Sequence, residues 1–445
     1  MPDHCATTRE VRSAPSVFAP GHLGELTQIV PFEMVDAVLA ERGRHHQRLR
    51  LLPARVVVYL LLAGGLFAPL GWTAIWRKLT SGLNLTPRPT ASALFYARKR
   101  LGPAPLKALF TLLADPTHTA HRFKGLLVCA IDGTLLDVPA SAANRSVHRS
   151  QGATRWAGAG YPQLRLLALV ATGSRALLAA TFGPVRHGET AYAPALCQAM
   201  GPGRLVLADR GFDAATVLEE FTATGAEILV RMSAGSNPRR LRRLKDGTWL
   251  VMRGKRRLRL IEAQITIATG QGQSTGRYRL ATTLVDVDRY PATDLVALYH
   301  QRWEIETAYG ELKSSLLGRR VLRAKDPEGL EQEVWALLAT YQVVRYAIAD
   351  AVTATGHSPL QASFTVAVEA ARDCLVRAEN TIAGERVDLR GVIGQQVLAN
   401  LLPQRRLRTA PRVVKRAISK YHARSNGVDR TTYKATVDIT VLTEP

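Results

Sequence analysis

The chain has 445 residues, with 59 Lys plus Arg against 36 Asp plus Glu, a formal net charge of +23 and a pI near 10.4. With 47% hydrophobic and 21% charged residues the composition excludes a disordered chain and provides apolar surface for a large core within roughly two to four domains. The charge calls for a polyanionic partner, nucleic acid before an anionic membrane surface, and exceeds what an acidic small-molecule substrate needs.

The opening MPDHCATTREVRSAP lacks the apolar core and cleavage site of a secretory signal. Residues 1–124 read as a helical N-terminal domain, beginning with GELTQIVPFEMVDAVLAERG at helical spacing. From Val56 to Trp76 no residue is charged, which meets the length test for a transmembrane helix. Gly64-Gly65, Pro69 and Gly71 interrupt that run, so it is predicted to form buried helices and no membrane span. After the turn signals at Thr80-Ser81-Gly82 and Pro87-Arg88-Pro89, Thr90 is placed to cap a helix ASALFYARKRLG. Arg98, Lys99 and Arg100 fall in its last turn, where they suit the helix dipole or a phosphate.

From residue 125 the pattern changes to strands. GLLVCAIDGTLLDVP is a buried strand interrupted by Asp132; LRLLALVAT and ALLAATFGPV are joined at Gly173-Ser174. HGETAYAPALCQAMG reads as a helix, with His187 at its opening and Glu189 serving its N-terminus. RLVLADRGF is a strand ending at Asp209, followed by a helix DAATVLEEFTATG and a strand EILVRM. The resulting order is a mixed sheet carrying helices over 125–231. Residues 231–260 hold 11 Lys plus Arg and one acid, and alternate basic with apolar residues as cationic β-hairpins would. This β-rich basic insertion is assigned to 232–277. Helix resumes near Asp294 in a segment 278–350, and 351–445 reads as a helical C-terminal region with a basic tail; residues 404–425 carry 8 Lys plus Arg and no acid. The four cysteines, Cys5, Cys129, Cys197 and Cys374, show no metal-ligand or disulfide spacing, which fits a reducing compartment.

Three acids stand where acids are costly. A carboxylate inside an apolar strand needs a hydrogen-bonded, cationic or metal neighbour, so Asp132 must have one. Asp209 ends a second apolar strand at Asp-Arg-Gly, which is also an ordinary turn sequence. Asp137 lies an odd number of residues from Asp132 and faces away; Asp213 reads as a helix cap. In ALYHQRWEIETAYGELKSSL, a regular helix at about 100° per residue puts Tyr299, Arg302, Glu306 and Lys313 within a sector roughly 60° wide, with Glu304 and Glu311 on another side. Glu306 is therefore the acid that shares a face with the cations and the tyrosine, unless that face is simply solvated.

Asp132 in AIDGT, Asp209 in VLADRGF and the run Tyr299-x2-Arg302-x3-Glu306-x6-Lys313 resemble the DDE transposases of the insertion element 4 family, with their Y-R-E-K signature. HLGELTQIVPFEMVDAVLAERG resembles the family's N-terminal domain and PRVVKRAISKY its C-terminal segment. The resemblance implies an RNase H-like catalytic core with a β-rich insertion and a helical N-terminal domain. It implies two Mg2+ ions, replaceable by Mn2+, held by Asp132, Asp209 and Glu306 as the catalytic carboxylates. Two such ions would activate the attacking oxygen and stabilise the leaving one in phosphodiester cleavage.

Tyr299, Arg302 and Lys313 would then contact phosphate, together with Arg239, Arg240, Arg242 and Arg243 of the insertion and the cluster Arg98, Lys99 and Arg100. Trp303 is a candidate for base stacking or core packing, and Tyr278 is the candidate on the insertion side. The implied partners are double-stranded DNA, as transposon ends and target, and a second copy of the chain in a synaptic complex. A bacterial, cytoplasmic, nucleoid-associated location follows from the same resemblance. A DNA-binding relic without catalysis and a nuclease on the same fold are the alternatives.

Overall fold

The computed structural model describes residues 23–44, 52–80, 88–114, 122–148, 160–377, 391–403, 408–409, 413–414, 422–423 and 431–442. The helices α1 (Phe32–Glu41), α2 (Ala54–Leu66), α3 (Trp72–Thr80), α4 (Ala91–Leu101) and α5 (Ala104–Leu113) come first. Next are β1 (Arg122–Phe123), β2 (Leu126–Asp137), α6 (Ala142–Val147), β3 (Gln163–Ala171), β4 (Leu177–Pro184), α7 (Glu189–Tyr192) and β5 (Arg204–Ala208). The chain continues through α8 (Ala215–Ala223), β6 (Glu227–Arg231), β7 (Arg239–Arg243), β8 (Trp249–Arg253), β9 (Arg256–Thr269) and β10 (Gly272–Thr282). Then follow α9 (Ala292–Tyr299), α10 (Trp303–Gly310), α11 (Pro327–Thr353), α12 (Phe364–Arg377) and α13 (Val392–Ala399). Last come the short β11 (Arg408–Thr409), β12 (Val413–Val414) and β13 (His422–Ala423), and the longer β14 (Tyr433–Val441).

Two compact units divide the chain: Met1–Leu205 with Arg302–Leu402, and Val206–Gln301 with Pro403–Pro445. In the first, β1, β2, β3 and β4 form an antiparallel ladder. α11 is its structural axis, buried along most of its 27 residues. Gln342 of α11 accepts from the Leu177 backbone N–H at 2.9 Å and donates to the Leu113 carbonyl at 3.0 Å, tying β4 to α5 through groups that would otherwise be buried without partners.

The uncharged run Val56–Trp76 forms α2, a turn and α3, and among the described residues no helix is long and apolar enough to cross a membrane. Gly64 and Gly65 do not interrupt α2 as their helix propensity suggests. A Cβ at Gly64 would stand 2.7 Å from the Trp72 ring and one at Gly65 2.6 Å from Thr340 Oγ1, so close packing is the reason for glycine. Thr90 caps α4 as expected, its hydroxyl accepting from the Ala93 N–H at 3.1 Å.

In the second unit the strands run β11, β14, β9, β10, β6, β5, with β8 on β9 and β7 beyond β8. Here the structure departs from the expected helical C-terminus. Residues 433–441 form β14, paired antiparallel with β9 from Ala435 opposite Thr269 to Val441 opposite Ala263. The reason is a period of two, Tyr433, Ala435, Val437, Ile439 and Val441 alternating with polar residues, which suits a strand with one apolar face. The segment 193–199 is a 3-10 helix following α7, so the predicted single helix there is two short turns. The basic tail 404–425 lies largely outside the described residues.

Candidate active site

Asp132 sits where β2 leaves the core: Val128 to Ile131 are fully buried, and Asp132 is half-buried. Its Oδ1 accepts from the Gly133 N–H at 2.8 Å, and Oδ2 accepts from an Arg302 guanidinium nitrogen at 3.0 Å. This is the cationic neighbour that a carboxylate in an apolar strand requires. On Gly133 the structure allows no side chain, since a Cβ would lie 2.5 Å from Glu189 Oε1. Glu189 instead lies against the strand and pairs with Arg165 at 2.6 Å. Asp137 faces elsewhere, accepting from the Gln163 amide at 2.8 Å.

Glu306 and Lys313 come from a segment that is not the single regular helix expected. α9 ends at Tyr299, a 3-10 turn spans His300–Arg302, α10 follows, and a π-helical turn spans Glu311–Leu316. The bond from Leu317 N–H to the Leu312 carbonyl, at 3.0 Å, marks the extra residue in this last turn. The side assigned to Glu304 and Glu311 is nevertheless distinct. Both pair with Arg175, at 2.7 and 3.0 Å, and Glu311 also accepts from Arg345 and from Tyr341 at 3.0 Å. Arg175, at positive φ in the β3–β4 turn, thus anchors the glutamate helix from its buried side.

On the other side Arg302 reaches Glu306 Oε1 at 3.4 Å as well as Asp132, and Lys313 donates to Thr134 Oγ1 at 3.2 Å. Thr134 is two residues beyond Asp132 and shares its face of β2. The structure therefore brings together Asp132, Arg302, Glu306 and Lys313.

Asp209 and Tyr299 belong to the second unit. Asp209 follows β5 and caps the 3-10 turn Arg210–Phe212, accepting from the Gly211 N–H at 2.7 Å; Tyr299 donates to the carbonyl of the preceding residue, Ala208, at 3.1 Å. Asp213 does not cap α8 as expected. Its carboxylate accepts from the Ser233 N–H at 2.8 Å and hydroxyl at 2.7 Å, and Ala214 holds the N-cap position.

The four arginines of β7 are all exposed, on a strand paired only through β8. A bulge between Arg240 and Arg242 puts Arg239 and Arg242 opposite Met252 and Leu250, and Arg240 and Arg243 opposite Val251 and Trp249, so each face carries two. Arg240 also covers the Trp249 ring at 4.7 Å and pairs at 3.4 Å with Glu262, which Arg277 and Arg279 share.

Trp303 is 46% exposed, whereas Arg231 stacks on the Tyr278 ring at 4.1 Å. Lys99 and Arg100 are exposed; Arg98 lies on Trp72 at 4.2 Å, its pKa lowered to about 10 by burial, which marks a packing role. His187 is exposed and accepts from Arg186 at 3.1 Å.

Asp132 and Glu306 converge on one guanidinium and present hard oxygen donors of the kind Mg2+ takes, so this donor set fits a divalent ion. Among the described residues no three His, Cys, Asp or Glu side chains form a group that could hold a metal; the fold presents a carboxylate pair sharing a cation. Sequence reasoning missed Arg175, Arg345 and Tyr309, the last of which donates its hydroxyl to the Asp132 carbonyl at 2.5 Å. A tyrosine three residues beyond Glu306, one helical turn away, was the available signal.

A strand aspartate and a helix glutamate thus share one arginine, in an α/β domain preceded by helices. The family model described as transposase DDE domain matches residues 124–343, and that described as insertion element 4 transposase N-terminal matches residues 20–111. The chain belongs to the insertion element 4 family of DDE transposases, and its α/β part is the RNase H-like core. It is 29% identical over 411 residues to transposase InsG for insertion sequence element IS4 of Escherichia coli strain K12, covering 87% of this chain and 91% of that one. It is also 29% identical over 193 residues to the putative transposase InsZ of the same strain, covering 41% of this chain and 62% of the relative. Among solved structures, a piggyBac transposase synaptic complex with hairpin DNA aligns with a TM-score of 0.42 at 13% identity, over 83% of this chain and 82% of that one.

Proposed function

We propose that this transposase binds the terminal inverted repeats of its insertion sequence, cleaves the 3′ ends and joins them to target DNA, with Asp132, Asp209 and Glu306 as the metal-binding catalytic carboxylates. The observation that carries the reading is the Arg302 bridge between Asp132 and Glu306, which draws two of these acids to the space of one cation. Two Mg2+ ions, or Mn2+, would supply an activated attacking oxygen and a stabilised leaving oxygen. Arg302 is already oriented at the carboxylates, and its fork suits the phosphate being cut; Lys313 adds a point charge beside it. Tyr299 contacts a phosphate near Asp209, and exposed Trp303 offers a ring face to a displaced base.

Farther out, Arg239, Arg240, Arg242 and Arg243 hold the DNA backbone from the insertion 232–277, and Lys99 and Arg100 from the N-terminal domain. The partners are double-stranded DNA and a second copy of the chain bridging two transposon ends, in the bacterial cytoplasm. The test is incubation of the full chain with end-sequence DNA and Mn2+, comparing native protein with Asp132→Ala, Asp209→Ala and Glu306→Gln. Metal-dependent 3′-end cleavage and strand joining by the native protein, absent from each variant, is expected. A variant that cleaves as the native protein does removes that residue from the catalytic set. Cleavage without any joined product supports a nuclease instead.

A further inference from the structure

We propose that Tyr309 is the positioning residue for Asp132: its buried hydroxyl, set against the β2–β3 ladder, ties the Asp132 backbone to the helix that carries Glu306. This rests on the reading of Asp132 and Glu306 as the metal-binding acids. The hydroxyl donates to the Asp132 carbonyl at 2.5 Å. Asp132 faces Ala168 in the β2–β3 register, so the bond reaches Asp132 within the paired ladder and not beyond its end. Backbone polar groups at this depth need partners, and here the partner comes from α10 in place of a neighbouring strand alone.

Tyr309 is 5% exposed and stands one turn beyond Glu306. Its oxygen therefore fixes the distance between the strand carrying one acid and the helix carrying the other. The Glu304 and Glu311 pairs with Arg175, near either end of the same helix, set its rotation. A group that orients a metal ligand without touching the metal acts on metal affinity, and the loss of such a partner typically costs about 10- to 100-fold.

The experiment compares the full-length native chain with Tyr309→Phe, Asp132→Ala and a control, Tyr59→Phe. The control also deletes a buried hydroxyl, which donates to the Val30 carbonyl at 2.6 Å in the helical N-terminal region. Four quantities are read: the Mn2+ concentration that half-saturates the rise in unfolding temperature, Fe2+-driven radical cleavage of the protein backbone near residues 132 and 306, and the Mn2+ and the DNA concentrations that half-saturate strand cleavage. Tyr309→Phe is expected to raise the Mn2+ requirement about 10- to 100-fold and weaken the Fe2+ cuts while the KM for DNA stays unchanged. Tyr59→Phe lowers the unfolding temperature alone.

p-Aminophenylalanine at 309 restores a donor and should return the Mn2+ requirement toward the native value; it serves as the deciding variant if Tyr309→Phe does not fold. An unchanged Mn2+ requirement in Tyr309→Phe, or, where p-aminophenylalanine decides, a requirement still raised about 10- to 100-fold despite the restored donor, overturns the proposal. If Asp132→Ala keeps both the Mn2+ response and cleavage, the reading of Asp132 fails first and takes this inference with it; if only Asp132→Ala loses them, this inference fails alone.

Discussion

Arg302 donates to Asp132 across 170 residues of sequence, at 3.0 Å, from a side chain only 11% exposed. The same guanidinium reaches Glu306, so its one positive charge lowers the repulsion between two acids. Replacing it with glutamine removes the charge and the fork together. Single-turnover cleavage of end-sequence DNA is expected to fall by about 10²- to 10³-fold, the loss typical of a fixed electrostatic contact to a reacting group. Arg302→Lys keeps the charge without the fork, so it recovers only part of the rate. Full recovery by lysine would mean that charge alone matters.

Arg345 is 2% exposed and its carboxylate partner is Glu311. Burial pushes its pKa well below the ordinary arginine value. Glu311→Gln leaves Arg345 buried without this carboxylate and should lower unfolding free energy by about 3–5 kcal/mol, whereas Arg345→Met leaves Glu311 paired with Arg175 and should cost less. The double variant should cost less than the two single losses added together, because the loss in Glu311→Gln includes stranding Arg345, which the double variant removes. Urea unfolding of the four proteins measures the coupling; strict additivity would show that the pair does not act as one unit.

Much of this site was legible because buried strands announce themselves. Asp132 and Asp209 stand out as charges at the ends of apolar runs, and the Thr90 cap and the β7–β8 hairpin follow from local rules. What was hidden is non-local or irregular. A helical wheel assumes 3.6 residues per turn, and the 3-10 and π turns flanking α10 break that assumption while still placing Arg302, Glu306 and Lys313 on one side. Arg175 carries no sequence signal, because its role depends on a turn and a helix brought together only by the fold. The strand β14 was visible in its alternation, but the basic residues before it pointed to a tail.

The arginines of β7 should govern the salt dependence of DNA binding. Every phosphate that a variant leaves without its cation lowers the slope of log affinity against log salt by about 0.9. Replacing Arg239, Arg242 and Arg243 with glutamine, and leaving Arg240 with Glu262, should flatten that slope in proportion to the phosphates these side chains neutralise, while circular dichroism stays unchanged. An unchanged slope would place the DNA elsewhere.

His148 lines a cavity of about 280 Å3 with Lys107, Phe182, Glu331 and Trp335, and its buried Nδ1 has no hydrogen-bond partner among the described residues. Burial holds its pKa below the ordinary value of 6.5. The unfolded chain then binds the proton more readily than the folded one, so stability is complete above pH 6.5 and declines as pH falls toward the lowered value. His148→Asn should remove that part of the slope in urea unfolding between neutral and mildly acidic pH. A slope that persists undiminished would assign it to other histidines.

Gly65 offers a test in which two principles predict opposite signs. On helix propensity alone, Gly65→Ala in the last turn of α2 should stabilise the protein by up to about 1 kcal/mol. The new Cβ, however, would meet Thr340 Oγ1 at 2.6 Å and its Cβ at 2.9 Å. Thr340 cannot turn aside cheaply, because its hydroxyl donates to the Ala336 carbonyl at 2.8 Å and also lies 3.0 Å from that of Leu62, and a β-branched side chain in a helix has few rotamers. Either the bond to α2 breaks or α2 moves away from α11, and overpacking of this kind costs about 1–3 kcal/mol. Gly65→Ala is therefore expected to destabilise, and the double variant with Thr340→Ser, which removes the methyl but keeps the hydroxyl, to recover little, since the closest atom is the oxygen. Thr340→Ala combined with Gly65→Ala should recover more. Stabilisation by Gly65→Ala alone would show that α2 and α11 pack less tightly than these distances require.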